Sequence, residues 1–223
     1  MIDVSDAARQ KADLVRIEKA RNSIEAFTRV LEELVRSSSS EVRMRALEGL
    51  ADWDRSRLIG ETQKAIHDRN ELVRVTAMEI AARHRLTELQ AEVCRAFTND
   101  KSWLARAAAA IALGDMEVLE AKDALEASID EANEEERVRI YYALTKLGND
   151  EYLSPFLEGL FHEHYRVRCA TANLLPTLVN GPSKKLAQIL VSCALDRETT
   201  VAAKSSLEET LRVLTESNSS APT

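Results

Sequence analysis

At 223 residues the chain is long enough for one or two compact domains, or for one array of short repeats. Aromatic residues make up only 4% while apolar residues reach 45%, so Leu and Ala carry the core, as suits small helices packed closely. The net charge is −7, and the segment 115–136 accounts for it: ten acids against one base, a net of −9, while the other 201 residues hold 27 acids and 29 bases. That balance argues against general nucleic-acid binding, which needs a basic face. The longest apolar runs fall short of the about 18 residues that a span requires, so no membrane segment is expected. The opening MIDVSDAARQKADL has early acid and no apolar h-region, which does not read as a secretory signal. Cys94, Cys169 and Cys193 have no CxxC spacing and read as reduced core thiols of a cytoplasmic protein.

In chain order, residues 1–21 are expected to form an N-terminal capping helix, started by Ser5 or Asp6, with Leu14, Val15 and Ile17 on a thin apolar face. A stronger helix begins at Asn22 or Ser23 and carries Ile24, Phe27, Leu31, Leu34 and Val35 on one side. The serine run 37–40 is an inter-helix turn whose last Ser can cap a helix beginning at Glu41. From there a period appears. Val-Arg or its equivalent recurs at Val42-Arg43, Val73-Arg74, Leu104-Ala105, Val138-Arg139, Val167-Arg168 and Val201-Ala202, in steps of 31, 31, 34, 29 and 34 residues. Small residues follow four positions on at Ala46, Ala77 and Ala108, where a close helix crossing needs them. Between these helices lie first helices with apolar stripes. The cleanest is Leu153, Phe156, Leu157, Leu160 and Phe161, and the last is Leu186, Ile189, Leu190 and Cys193. Pro176 falls late in its helix and should end or kink it. The final ESNSSAPT, from residue 216 on, is a polar tail expected to be disordered. No stretch alternates as a half-buried strand does.

The segments IALGDMEVLEAKDALEASI and ALTKLGNDEYLSPFLEGLF resemble HEAT-like repeats of the type described in phycobilisome lyases. The Leu-Gly-Asp/Asn turn, the short first helix and the Val-Arg opening of the second helix carry the likeness, which spans most of residues 22–215. Repeats three and six depart from it at Leu104-Ala105 and Val201-Ala202. The resemblance implies an all-α fold, an α-solenoid of six helix pairs in a right-handed superhelix with second helices on the concave side. It implies no single activity.

Arg43, Arg74, Arg139 and Arg168 recur once per repeat. They form either a basic ladder facing phosphates or an internal ladder that bonds turn carbonyls and acids such as Asp68, Asp100 or Glu163; the recurring acids favour the structural reading. His162-Glu163 resembles one of the His-Glu pairs that HEAT-repeat di-iron hydroxylases carry on successive repeats. With His164 it makes a triplet with too few ligands, and residues i and i+2 do not share a helix face, so no metal and no cofactor are expected. HEAT-like DNA glycosylases need a basic groove with aromatics; Trp53 and Trp103 are such aromatics, but the acidic balance does not fit, and no nucleic-acid partner is expected. No G-x-S-x-G elbow, paired Cys and His or Gly-rich phosphate loop is present, so no catalytic residue is assigned and the chain reads as a non-enzyme.

Two surfaces remain as partner-binding candidates. Trp103, Tyr141, Tyr142 and Tyr165 lie at second-helix positions, as concave interface anchors or as inter-repeat packing. The acids Glu117, Glu120, Asp123, Glu131, Glu134 and Glu135 exceed what helix capping requires and form either a docking patch for a basic protein or a solvated face. The expected function is a protein-binding scaffold, in a sharper form an immunity or inhibitor protein for a basic, nuclease-type toxin. The alternative, by resemblance alone, is an accessory or lyase subunit of an enzyme complex.

Overall fold

The computed structural model describes residues 4–20, 24–50 and 55–216. Trp53, the expected helix start at Asn22 or Ser23, and the tail beyond Glu216 lie outside them. The described residues form 13 α-helices joined by turns and short 3-10 segments, with no strand among them. They divide into two compact units, residues 1–116 and 117–223.

The first unit contains α1 (Val4–Ala20), α2 (Ile24–Leu34), α3 (Ser40–Leu50), α4 (Arg55–Ala65), α5 (Glu71–Arg83), α6 (Gln90–Asn99) and α7 (Trp103–Asp115). Helix α1 begins at Val4, so Ser5 and Asp6 lie inside it and neither is its cap. It packs on α2 and α3, after which the chain runs as pairs, α2 with α3, α4 with α5 and α6 with α7. The second helices α3, α5 and α7 also pack on one another in succession. Most of these helices have only 10–13 residues, a length marginal in isolation, so this stacking is what holds them. Ala46, Ala77 and Ala109 are fully buried, where the second helices approach closely.

The second unit repeats the plan with α8 (Lys122–Ala127), α9 (Glu134–Lys146), α10 (Leu153–Glu158), α11 (Tyr165–Leu174), α12 (Gly181–Arg197) and α13 (Val201–Glu216). Here α9, α11 and α13 are the second helices packed in succession. Helix α11 gives way at Leu175–Thr177 to a 3-10 turn containing Pro176, because proline supplies no N–H to continue the α ladder. Helix α12 corrects the apolar stripe read from sequence. Its buried residues are Ala187, Val191 and Ala194, while Leu186 and Ile189 are 56% and 60% exposed and Cys193 is exposed as well. These three side chains seat the helix closely, Leu190 is half-buried, and Leu186 and Ile189 are turned to solvent.

The helix caps reset the repeat register. Ser39, Asn70, Ser102, Asn133, His164 and Thr200 immediately precede α3, α5, α7, α9, α11 and α13. Ser39 Oγ accepts the Val42 N–H at 3.5 Å, Asn70 Oδ1 the Leu72 N–H at 2.9 Å and Asn133 Oδ1 the Glu136 N–H at 2.9 Å. Four residues after each of these positions stand Arg43, Arg74, Arg106, Arg137, Arg168 and Lys204, in steps of 31, 32, 31, 31 and 36. The third repeat therefore keeps its arginine, as Ala105-Arg106 rather than Leu104-Ala105, and its close-packed alanine is Ala109 rather than Ala108. The fourth reads Glu136-Arg137 rather than Val138-Arg139.

The two Leu-Gly turns are not equivalent. Gly148 sits past the end of α9 at φ +85°, and the backbone bonds Asn149 N–H to Leu144 O and Gly148 N–H to Thr145 O, each 3.0 Å, close a Schellman cap. Gly114 instead lies buried within α7, and the left-handed residue that follows that helix is Glu117, at φ +58°. After α5 the same Schellman pattern carries Arg85 at φ +44°, with Leu86 N–H on Ala81 O at 2.9 Å and Arg85 N–H on Ala82 O at 3.1 Å. A side chain at a left-handed position costs roughly 1 kcal/mol relative to Gly. Arg85→Gly is accordingly expected to raise the melting temperature by a few degrees; an unchanged or lower value in thermal circular dichroism would show that the Arg85 side-chain contacts outweigh the backbone strain.

Candidate functional site

The arginine ladder is internal where its bonds are seen. Arg43 forks onto Asp68 at 2.8 and 2.7 Å, Arg74 onto Asp100 at 2.6 and 2.7 Å, and Arg168 onto Glu198 at 2.6 and 2.8 Å. Each of the three also donates backwards to a turn carbonyl, of Ser37, Asp68 and His162 respectively. One guanidinium thus ties its own turn to the turn of the next pair, the bidentate role that Arg suits. Burial pushes the Asp68 and Asp100 carboxyls up, but hydrogen bonds from the arginines and from the Asn70 and Ser102 N–H groups outweigh it, and both sit below the usual carboxylate range. These guanidinium groups are taken up within the fold and do not present a ladder to phosphates.

Arg139 does not belong to this ladder, contrary to the sequence reading. Its guanidinium donates to the Glu135 carbonyl of its own helix, and burial lowers its pKa. Arg137, two residues earlier, takes the turn carbonyls of Ile129 at 3.1 Å and Ala132 at 2.8 Å. The Val138-Arg139 pair lies two residues out of register because Glu136, 3% exposed, occupies the valine position.

The aromatic set divides. Tyr142 is fully buried against Phe156, with its hydroxyl 2.8 Å from Thr177 Oγ1, so it is a core residue and not a partner anchor. Tyr141 is half-buried and stacks on Tyr152 at 5.8 Å. Tyr165 is 39% exposed with Arg166 over its ring at 5.9 Å. Trp103 is half-buried at the start of α7. Of the four, only Tyr165 presents an exposed ring.

The acidic segment occupies a 3-10 turn (Leu119–Ala121), α8 and the turn into α9. Val118, Ala121 and Leu125 point inward, which leaves Glu117, Glu120, Asp123, Glu126, Asp130 and Glu131 exposed. Asn149 donates to Glu126 at 2.7 Å. Glu120, Asp123, Asp130 and Glu131 have no cationic partner among the described residues. Glu134 and Glu135 are different: Glu134 lies 3.8 and 3.4 Å from His162 and His164, and Glu135 lies 3.6 Å from Arg166. Sequence reasoning missed Leu119, 59% exposed among the free acids, because helical periodicity does not track a 3-10 turn.

The triplet His162, Glu163 and His164 is a turn, not a helix segment, so the helix-face argument against it does not apply. The two rings stack at 6.0 Å, and His162 Nδ1 accepts the His164 N–H at 3.1 Å. Glu134, Glu163 and His164 bring their possible ligand atoms within 4.8 Å of one another at an open surface.

Among the described residues no helix is long and apolar enough to cross a membrane. Helix pairs stacked through their second helices, with a turn position repeating every 31 or 32 residues over most of the chain, define an α-solenoid. The family model for HEAT repeats matches residues 28–114 and 62–140, and the chain belongs to that family. It is a helical repeat scaffold. No curated protein matches the sequence.

Proposed function

We propose that the chain is a non-enzymatic protein-binding scaffold whose acidic segment docks a basic protein surface. One observation carries this reading: four exposed carboxylates without cationic partners among the described residues, Glu120, Asp123, Asp130 and Glu131, fall within one short segment that also exposes Leu119. Like charges gathered in this way repel one another, and a basic partner relieves that repulsion. A nearby apolar contact gives such a surface more than long-range attraction. In its sharper form the partner is a nuclease-type toxin, basic where it grips nucleic acid, and the chain is its immunity protein or inhibitor. Tyr165 and Tyr141, on the same unit, are the aromatic anchors this reading retains.

The test is a charge reversal, Glu120→Lys, Asp123→Lys and Glu131→Lys together. Surface substitutions of this kind stay within about 0.5 kcal/mol each, so the melting temperature is expected to hold or rise. Wild-type protein on a resin is expected to retain basic proteins that salt releases, and the variant to lose them. With a purified partner, the on-rate at low salt should fall by about ten-fold or more and its salt dependence should flatten. Equal recovery by both baits means the segment is only a solvated face.

A further inference from the structure

The first unit carries a charge feature of the opposite sign. A groove of about 820 Å³ runs among α1, the end of α2, the serine turn and the turn before α5. Five arginines line it, Arg9, Arg16, Arg36, Arg43 and Arg69, against three acids, Asp13, Glu33 and Asp68. Every one of those acids is already engaged: Glu33 takes the fork of Arg16 at 3.2 and 2.8 Å, Asp13 lies 3.6 Å from the same guanidinium, and Asp68 takes the fork of Arg43. That leaves Arg9, Arg36 and Arg69, all exposed, with no hydrogen bond or ion pair to a carboxylate among the described residues; Arg69 has only the longer-range attraction of Asp68, whose oxygens the Arg43 fork already takes. Arg69 donates one N–H to the Ser38 carbonyl at 3.1 Å, which positions its guanidinium without neutralising it.

We propose that this groove is a second docking surface, which takes an acidic peptide segment of a partner protein. Three guanidinium groups from three separate elements suit several carboxylates strung along an extended chain, each met by a charge-assisted fork. The lining holds no aromatic ring, so it lacks the stacking platform that single-stranded nucleic acid uses. Leu34 and Val35 are its apolar residues, too few for a small-molecule pocket of the usual apolar kind. The net charge of the whole chain hides this groove, because the arginines are far apart in sequence and lie among acids that turn out to be spent.

The test titrates a fluorescent oligoglutamate peptide into the full-length chain at low salt. Arg9→Ser, Arg36→Ser and Arg69→Ser together are expected to weaken binding at least ten-fold. A variant with the same change in net charge, Lys184→Ser, Lys185→Ser and Lys204→Ser, should stay within two-fold of wild type. Arg9→Ser with Arg36→Ser alone, which removes no hydrogen bond within the fold, should already give several-fold weakening and guards against misfolding of the triple variant. Equal weakening by the lysine variant, or no binding by wild type, overturns the proposal. So does displacement of the peptide by millimolar inorganic phosphate, which marks a small-anion site, or by a lower concentration of a single-stranded oligonucleotide.

Discussion

Replacing Arg74 with Ala is expected to cost about 3 kcal/mol of stability, the range found when one member of a buried ion pair is removed. The Arg74 and Asp100 side chains are only 7% and 8% exposed, so Asp100 would keep a nearly buried charge without its fork. The Asp68 carbonyl would lose a 3.0 Å donor at the same time. For a chain of this size that corresponds to a fall of roughly 6–12 °C in melting temperature. The double variant Arg74→Ala, Asp100→Ala should melt above the sum of the two single losses, because it removes the stranded charge together with its partner. Arg139→Met provides the contrast. That guanidinium is disfavoured by burial and takes no carboxylate fork, so an apolar side chain of similar length should leave stability unchanged or raise it. If Arg74→Ala melts like wild type, the inter-turn forks do not hold the stack together.

The contrast between Arg74 and Arg139 shows how much the sequence carries. The helical repeat is legible because every pair must bury an apolar face on its neighbours, and that need writes a period into the chain. The arginines at Arg43, Arg74 and Arg168 are legible for the same reason, since each serves the same turn geometry. The Val-Arg dipeptide misplaces the fourth repeat, because the turn fixes only the distance from cap to arginine. From Asn133 that distance leads to Arg137, with Glu136 in place of valine. The site is less legible than the fold. Tyr141 and Tyr142 are adjacent in sequence, and only packing decides that Tyr142 fills the core against Phe156 while Tyr141 stays half-buried. In the acidic segment, composition does not reveal that Glu134 and Glu135 have partners whereas Glu120, Asp123, Asp130 and Glu131 have none among the described residues. Those pairings join residues about 30 positions apart, across a turn that periodicity does not describe. In α12, alanines set the closest approach and larger apolar residues face out, the reverse of what hydrophobicity alone suggests.

Acid is expected to unlock the second unit through Glu198. Its side chain is 1% exposed, and its oxygens accept the Arg168 fork, the Thr199 N–H at 3.0 Å and the Thr200 N–H at 2.7 Å. The Arg168 hydrogen bonds are the largest influence, and with the Thr200 contacts they outweigh desolvation and hold the carboxyl down at about 2, against 4.5 for an ordinary glutamate. A carboxyl whose pKa is depressed by folding contributes stability that is complete above its unfolded value and is lost as pH falls through its folded one. The contribution, on the order of 2 kcal/mol, should therefore be intact at neutral pH and disappear between pH 4.5 and about 2. Asp68 and Asp100 add losses of the same sign in the first unit. Glu79 acts the other way: crowding by its neighbours raises its pKa, but its side chain is exposed and water screens the effect, so it offsets these losses only slightly. Denaturant melts at a series of pH values are expected to show wild-type stability level on mild acidification, then dropping steeply below pH 4.5. Glu198→Gln should start lower at neutral pH, because a neutral amide cannot hold the Arg168 charge, and should show a shallower drop in acid. A variant that keeps the full wild-type acid slope would assign that slope to other carboxylates and leave the Arg168 fork a matter of geometry rather than charge.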